Sequence, residues 1–453
     1  MTTAGSLTGR WPDFDGRLSV DGEALTEASR DFGGVVQRRP AAVLRAGSVD
    51  DVVRMVRHAR AAGLQLVPRG AGHAAFGQAQ ITGGVVVDLR GLDRVHSLDD
   101  RAITVDAGVL WSELVRRTTA VGLVPPVLTD FLELTVGGTL SAGGITGTSF
   151  QWGAQIDNVD EIVVVTGAGD VVRCSPTEEP ELFEAVLAGF GQVAIIVRAA
   201  VRLVPAPPAV EVFRLRYDDM AAMTTELRSL VSDGRFDYLL GIVTPTDGGG
   251  WRASIEAAVG SDRPDSRGIS RRDGLRHRRA EEDYEIRSLT EWVRRVDEPV
   301  GVLRELGLWQ APHPWLDLFV RDSALGTMLS EVVDPSVPRG VGPLRILLYP
   351  LRRSRFGRPL LRLPEDEDLV LLDVLSTAPA AGPEAMVAAN RRLFERNREL
   401  GGTVYPISAV PLQPDDWRRQ FGPRWQHLTA ARRRFDPDGV LTHRGAFGAE
   451  PPA

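Results

Sequence analysis

The chain has 453 residues, more than one ordinary hydrophobic core accommodates, so two domains or one domain with a large insert is expected. Hydrophobic residues make up 43% and charged residues 25%, a globular balance, and the net charge is -7 with all 53 basic residues being Arg spread along the chain, which argues against a dedicated nucleic-acid surface. A single cysteine, Cys174, excludes an intramolecular disulfide framework and any Cys-only metal site, so no metal is expected.

The N-terminal stretch MTTAGSLTGRWPDFDGRL has no apolar h-region, and no run approaches ~18 uninterrupted apolar residues. A cytoplasmic protein without a membrane span is therefore the expectation. Residues 40–205 read as alternating strands and helices. A short strand leads to Ser48 as a helix N-cap, with Val52, Val53, Val56 and Ala59 at helical spacing and a strand at LQLVP after it. GGVVVDL (83–89) and AITVDAGVL (102–110) are β-rich runs, and VLWSELVRRTTAVG is a helix ending at Gly122. Two Val-rich strands flank Gly167-Ala168-Gly169 as a hairpin, PELFEAVLAGFG is a helix, and QVAIIVRAAVRLVPAP is a long strand. The Pro-rich segment 205–209 marks a domain boundary. Beyond it, the charge run 265–285 reads as a solvated loop and helix start, because both signs are interleaved. WRRQFGPRWQHLTAARRRFDPDGVLT reads as one amphipathic helix stopped by Pro437.

Two segments carry chemistry. In VPRGAGHAAFGQAQ (67–80) the glycines Gly70, Gly72 and Gly77 let the backbone turn sharply and aim amides at a phosphate. The segment lacks the Lys of a Walker loop, and a bare glycine turn is weak evidence for phosphate binding. His73, between Gly72 and Ala74, strengthens it, because such a position is rarely core filler. The second segment, residues 128–159, holds six glycines, several Ser and Thr and few charges. It reads either as an ordinary surface loop or as a loop that lays a large planar ligand with a diphosphate against backbone N–H groups.

These two segments, with VTGAGDVVRCSPTEEPELFEAVLAGFGQVAIIVRA (165–199), resemble the PCMH-type FAD-binding domain of the vanillyl-alcohol oxidase superfamily, and cytokinin dehydrogenases most of all. FDYLLG (236–241), ASIEAAV (253–259), LRELGLWQAPHPWLDLFVRDS (303–323), GPLRILLYPL (342–351), NRRLFERNRELGG (390–402) and RRFDPDGVLT (433–442) continue the likeness. The resemblance thus spans about residues 40–447. It implies an α+β fold: an FAD-binding domain over 1–205, an inserted substrate domain of antiparallel sheet covered by helices over 206–411, and a C-terminal return over 412–453.

The resemblance further implies that His73 is bonded to the flavin 8α-methyl group, with a non-covalent flavin lying beside His73 as the alternative. Around it, Arg69, Gly70, Ala71, Gly72, Ala74, Gln78, Asp130, Thr135, Gly137, Gly138, Ser141, Ile145, Ile196 and Thr442 are the implied FAD contacts. Ala74 replaces the family's usual Ser. Glu133 stands where relatives with a second, thioether link have Cys, so a single link is implied. Asp130, in LTDFL, matches the catalytic base, with a helix or turn cap as the alternative reading. Glu256 matches a second carboxylate that contacts substrate, with an ion pair to a nearby Arg as the alternative; an inward carboxylate in a strand demands a partner. Trp315, His313, Leu240 and Tyr349 are candidate pocket residues, Trp315, His313 and Tyr349 with plain packing as the alternative. The sequence departs from the family's flavin-wrapping motif at Thr442-His443-Arg444-Gly445, and Leu240 replaces an acidic residue.

The function implied is oxidation of a C–N bond in a secondary, allylic amine such as a cytokinin, with hydride passing to flavin N5 and the imine then hydrolysing. Oxygen or a quinone-like molecule would take the electrons. The rival keeps the flavin but acts on an alcohol, or on another C–C or C–N bond, in secondary-metabolite tailoring. A flavin-bound protein without redox turnover, a binder or a cyclase, is the reading from another class, and His73 with Asp130 argues against it.

Overall fold

A computed structural model describes residues 11–264 and 269–441. The fold is α+β, as the sequence implies, and it is built on three main sheets. The first begins with the pair Arg17–Ser19 and Ala42–Arg45, antiparallel, followed by Val85–Asp88 and Leu66–Arg69, which run parallel. Helix Val49–Ala62 crosses between the parallel strands. Ser48 caps it, its hydroxyl accepting from the Asp51 amide at 3.2 Å, and Gly63 ends it at φ 65°. Its apolar stripe, Val52, Met55, Val56 and Ala59, is fully buried against Leu44, Val85 and Val87.

The second sheet is antiparallel, in the order Val95–Leu98, Ala102–Asp106, Ala194–Arg202, Val159–Thr166, Val171–Cys174. It contains the expected hairpin at Gly167–Gly169. Cys174 is fully buried there, and burial pushes its thiol up to about 12, so it behaves as a small core residue.

The third sheet has eight antiparallel strands: Asp283–Ser288, Ala209–Tyr217, Trp251–Ser261, Tyr238–Pro245, Val341–Arg352, Asp368–Thr377, Leu316–Arg321 and Thr403–Val404. Helices Met220–Asp233, Leu325–Val332 and Glu384–Glu399 bury one face. The alternation of strand side chains divides Tyr238–Pro245 accordingly: Leu239 and Val243 join the helix-covered core, while Leu240, Ile242 and Thr244 turn to a cavity. No helix among the described residues is long and apolar enough to cross a membrane.

Three local expectations are corrected. Residues 128–159 are not an open loop: they form helices Val136–Ala142 and Ser149–Trp152 and a 3-10 turn at Gln155–Asn158. Thr135 supplies the missing cap, its hydroxyl accepting from the Gly138 amide at 3.3 Å. The tail is two helices, Pro414–Phe421 and Trp425–Phe435, because Gly422 takes a positive φ and Pro423 has no N–H to continue the first. The charge run is not wholly solvated. Residues 265–268 lie outside the described residues, but His277 is 7% exposed, and it and Arg272 both engage Glu282. From the tail, the chain returns to the first sheet, where the Leu66 amide donates to the Val440 carbonyl at 2.8 Å.

Candidate active site

A cavity of about 810 Å³ lies between the glycine-rich segments and the open face of the eight-stranded sheet. That is near the upper end of the ~300–1,000 Å³ range of ligand sites. Every site residue expected from the sequence lines it except Thr442, which lies outside the described residues.

On the first wall the backbone is packed too tightly for side chains. A Cβ on Gly70 would sit 2.0 Å from the Thr135 hydroxyl, and one on Gly137 would sit 2.7 Å from the Ala107 Cβ. Gly70 lets segments 69–74 and 135–142 approach each other, and Gly137 lets the second of them pack on Ala107. Arg69 is buried beneath. One guanidinium nitrogen donates to the Arg30 carbonyl at 2.7 Å, while Nη1 is buried without a partner. A buried guanidinium with an unmatched donor, beside a glycine cradle, suits an anionic, phosphate-bearing group. Gln78 ties this wall to the far end of the chain, its amide donating to the Pro406 carbonyl at 2.9 Å. Ser141 donates to the Gly137 carbonyl at 2.7 Å, inside its own helix.

His73 stands at the junction of the walls. Its ring stacks on Phe32 at 4.0 Å and 11°, and on Phe131 at 4.9 Å. The other face of Phe32 stacks on His313 at 4.2 Å, and Trp315 meets it edge-on at 5.0 Å. Burial, helped by nearby His313, pushes the His73 imidazole down to about 3, so it is neutral across the physiological range. The largely buried ring lines the cavity.

The second wall carries a charged network. Asp130 receives hydrogen bonds from Arg295 Nη2 (2.6 Å, to Oδ1), the Thr146 hydroxyl (3.0 Å, to Oδ1) and the Tyr349 hydroxyl (2.8 Å, to Oδ2). Arg295 also donates through Nε to Glu256 Oε1 at 3.2 Å, and to the Tyr238 hydroxyl at 2.6 Å. Glu256 is 3.5 Å from Arg214 as well. Arg295 is only 10% exposed at its side chain and lies between Trp292 and Tyr238, 4.2 and 4.7 Å from the ring centroids. Burial alone would lower its pKa, but Asp130, Tyr238 and Glu256 together hold it well above the usual arginine value. Burial raises both tyrosines well above 10, so each phenol stays protonated.

Of the two alternatives left by the sequence for Glu256, the structure shows the ion pair to arginines, and the residue also lines the cavity. His313 and Trp315 likewise both pack and line the cavity. Sequence reading missed Arg295, Tyr238, Thr146 and Phe32. Tyr238 had a usable signal, since it sits two residues before Leu240 in a strand and shares its face. Arg295 had none, because WVRRVDEP reads as a solvated charged stretch.

Comparison with known proteins agrees with this architecture. An FAD binding domain family matches residues 40–175, and the family described as cytokinin dehydrogenase 1, FAD and cytokinin binding, matches residues 275–446. An uncharacterized oxidoreductase, ORF5 in the fasciation locus of Rhodococcoides fascians, is 36% identical over 94% of this chain and 98% of its own length. Cytokinin dehydrogenase 4 of Oryza sativa subsp. japonica is 32% identical over 97% of this chain and 94% of its own. Among solved structures, 6-hydroxy-D-nicotine oxidase from Arthrobacter nicotinovorans shares the fold, with a TM-score of 0.73 at 21% identity, covering 97% of this chain and 99% of that one. Sheet architecture, glycine cradle and relatedness along nearly the whole length lead to one conclusion: the chain belongs to the cytokinin dehydrogenase family of FAD-dependent oxidoreductases.

Proposed function

We propose that this enzyme oxidises the C–N bond of a secondary, allylic amine of cytokinin type, giving an imine that water cleaves to an aldehyde and a free amine. The observation that carries the reading is Asp130, a carboxylate fixed by three short hydrogen bonds and facing the cavity. A carboxylate offers about four acceptor sites, and the fourth is met only by the Tyr238 hydroxyl at 3.4 Å, the longest of the contacts and the one a substrate N–H would replace. Asp130 accepts that proton, and the lone pair left on nitrogen drives hydride loss from the adjacent carbon. An allylic carbon eases the step by delocalising the developing cation.

FAD, when bound, supplies the hydride acceptor, and oxygen or a quinone-like molecule takes the electrons onward. Arg69 and the amides of the Gly70–Gly72 and Thr135–Gly138 segments would hold its phosphates. His73, neutral and open to the cavity, would tether it through a single covalent bond. Glu256 orients the substrate, and Arg295 fixes the distance between the two carboxylates while cancelling part of their charge. We take residues 1–205 and 412–453 as the flavin domain and 206–411 as the substrate domain.

Product analysis tests the reading. Isopentenyladenine incubated with the holoenzyme and an electron acceptor is expected to yield adenine and the five-carbon aldehyde in equal amounts. Unchanged isopentenyladenine, with turnover of an alcohol instead, would move the chemistry to the tailoring class.

A further inference from the structure

Two carboxyl groups in the cavity have no part in the mechanism above. Asp317, on strand Leu316–Arg321, and Asp373, on strand Asp368–Thr377, are direct cross-strand partners, and both line the cavity. Their carboxyls are within hydrogen-bonding contact of each other. Asp317 is 4% exposed, and Ser408 packs against it, the hydroxyl accepting from the Asp317 amide at 2.8 Å and lying 3.1 Å from Oδ2, with the Tyr405 carbonyl nearer to it at 2.8 Å. The groups that act on the pair are Ser408, Asp130, Tyr349, Tyr405 and the two carboxyls themselves, and none of these is a cation. Two adjacent buried carboxyls without a counter-charge cannot both ionise, so they share a proton; burial pushes both up, Asp317 to about 7. Outside the pair, Asp373 Oδ1 is buried with no hydrogen-bond partner. An acceptor left in that state carries its full desolvation penalty until a donor reaches it.

The pair sits away from the reacting end of the cavity. Asp373 is the cross-strand partner of Leu347, two residues before the Tyr349 that holds Asp130, on the same sheet face. With a rise of ~3.4 Å per residue and ~4.8 Å between strands, the Asp373 backbone is roughly 8 Å from that of Tyr349, and that of Asp317 roughly 12 Å. A molecule whose N–H reaches Asp130 therefore meets this pair with another part of its structure. The pair already holds one proton, so what it lacks is a neutral donor, and a hydroxyl supplies one without the cost of desolvating an ion.

We propose that the Asp317–Asp373 pair is a subsite for a hydroxyl group on the substrate side chain, and that it makes the enzyme select hydroxylated over purely hydrocarbon side chains. This rests on the amine-oxidation reading of the same site. A site built to hydrogen-bond a hydroxyl rejects an analogue without it, because its own polar group is then left unpaired.

The test is anaerobic stopped-flow reduction of the holoenzyme flavin by isopentenyladenine and by its terminally hydroxylated counterpart, each over a concentration series. The hydroxylated amine is expected to half-saturate at roughly tenfold lower concentration, with a similar limiting rate. In Asp373→Leu the preference is expected to vanish through weaker binding of the hydroxylated amine alone. Equal half-saturation in the wild-type enzyme, which needs no variant to fold, overturns the subsite and leaves the amine reading intact. Failure of both amines to reduce a flavin that dithionite still bleaches sinks the amine reading, and the subsite with it. A preference that survives in Asp373→Leu, or a shifted flavin spectrum in that variant, overturns the subsite by placing the selectivity elsewhere or the pair against the cofactor.

Discussion

The two walls of the cavity solve different problems with different residues. The wall of segments 69–78 and 135–145 is nearly neutral and relies on close backbone approach, with Arg69 buried behind it and His73 at its edge. The facing wall, with Asp130 beneath it, is charged: Asp130, Glu256, Arg295 and Arg214 form one connected network, drawn from positions up to 165 residues apart. A cofactor shared by many enzymes needs a surface of fixed shape, which local sequence can encode. A substrate needs particular charges at particular distances, which only the folded chain assembles. Perturbing the charged wall should therefore hurt rate and stability, while perturbing the glycine wall should hurt cofactor retention.

The largest contrast is expected from Asp130→Asn. Loss of a positioned general base costs ~10²–10⁴-fold, so flavin reduction by the amine should slow by that factor while the protein purifies yellow. Rapid-mixing absorbance reads the rate, and a slowing under threefold would remove Asp130 from the role of base.

Next comes Arg295→Met, which strips the buried counter-charge from Asp130 and Glu256. Breaking a buried ion pair from one side costs ~3–5 kcal/mol, so denaturant unfolding should show a loss of that order. Arg295→Lys should recover only part of it, because a single ammonium cannot span Asp130, Glu256 and the Tyr238 hydroxyl as the planar guanidinium does. An Arg295→Met chain as stable as wild type would mean the network is not what holds this wall.

On the glycine wall the sharpest expectation concerns pH. In the proposed attachment the neutral imidazole would be the nucleophile, and burial lowers His73 to about 3, so protonation is negligible down to pH 5. A free histidine, with a pKa of about 6.5, would be roughly 97% protonated there. The rate at which FAD becomes attached to the apo chain, read as in-gel flavin fluorescence after denaturation, should stay flat from pH 7.5 to 5. A roughly 30-fold fall at pH 5 would mean that His73 is exposed before attachment. His73→Ala should abolish attachment at every pH and leave the flavin free to be extracted.

The smallest expected effect is that of Tyr349→Phe, which removes the 2.8 Å hydrogen bond to Asp130 Oδ2. Hydrogen bonds to charged groups are worth about 1.5–3 kcal/mol, so flavin reduction should slow by at most roughly 10- to 150-fold with little change in cofactor content.

The same division explains what was legible in the sequence. The cofactor wall was readable because His73, Gly70, Gly137 and Thr135 lie in two continuous segments whose composition is unusual in itself. The helices within 128–159 were not, since glycine-rich residues have poor helical propensity and this segment is held by the Thr135 cap and by packing of Gly137 on Ala107. On the substrate wall, Asp130 and Glu256 stood out as lone acids in apolar runs. Arg295 did not, because in the chain it has arginine and aspartate neighbours and only the fold buries it. Asp317 and Asp373 were hidden for a similar reason: each is flanked by apolar residues in its strand, and only their cross-strand register makes them a pair.

The central claim is that an amine of cytokinin type is the reductant. It is tested most directly by the absorbance of the yellow holoenzyme after anaerobic addition of isopentenyladenine. Bleaching of the flavin band on the millisecond-to-second scale is the expected result. A spectrum that stays oxidised with the amine, yet bleaches with dithionite, would contradict it and point to a sound flavoenzyme built for another substrate.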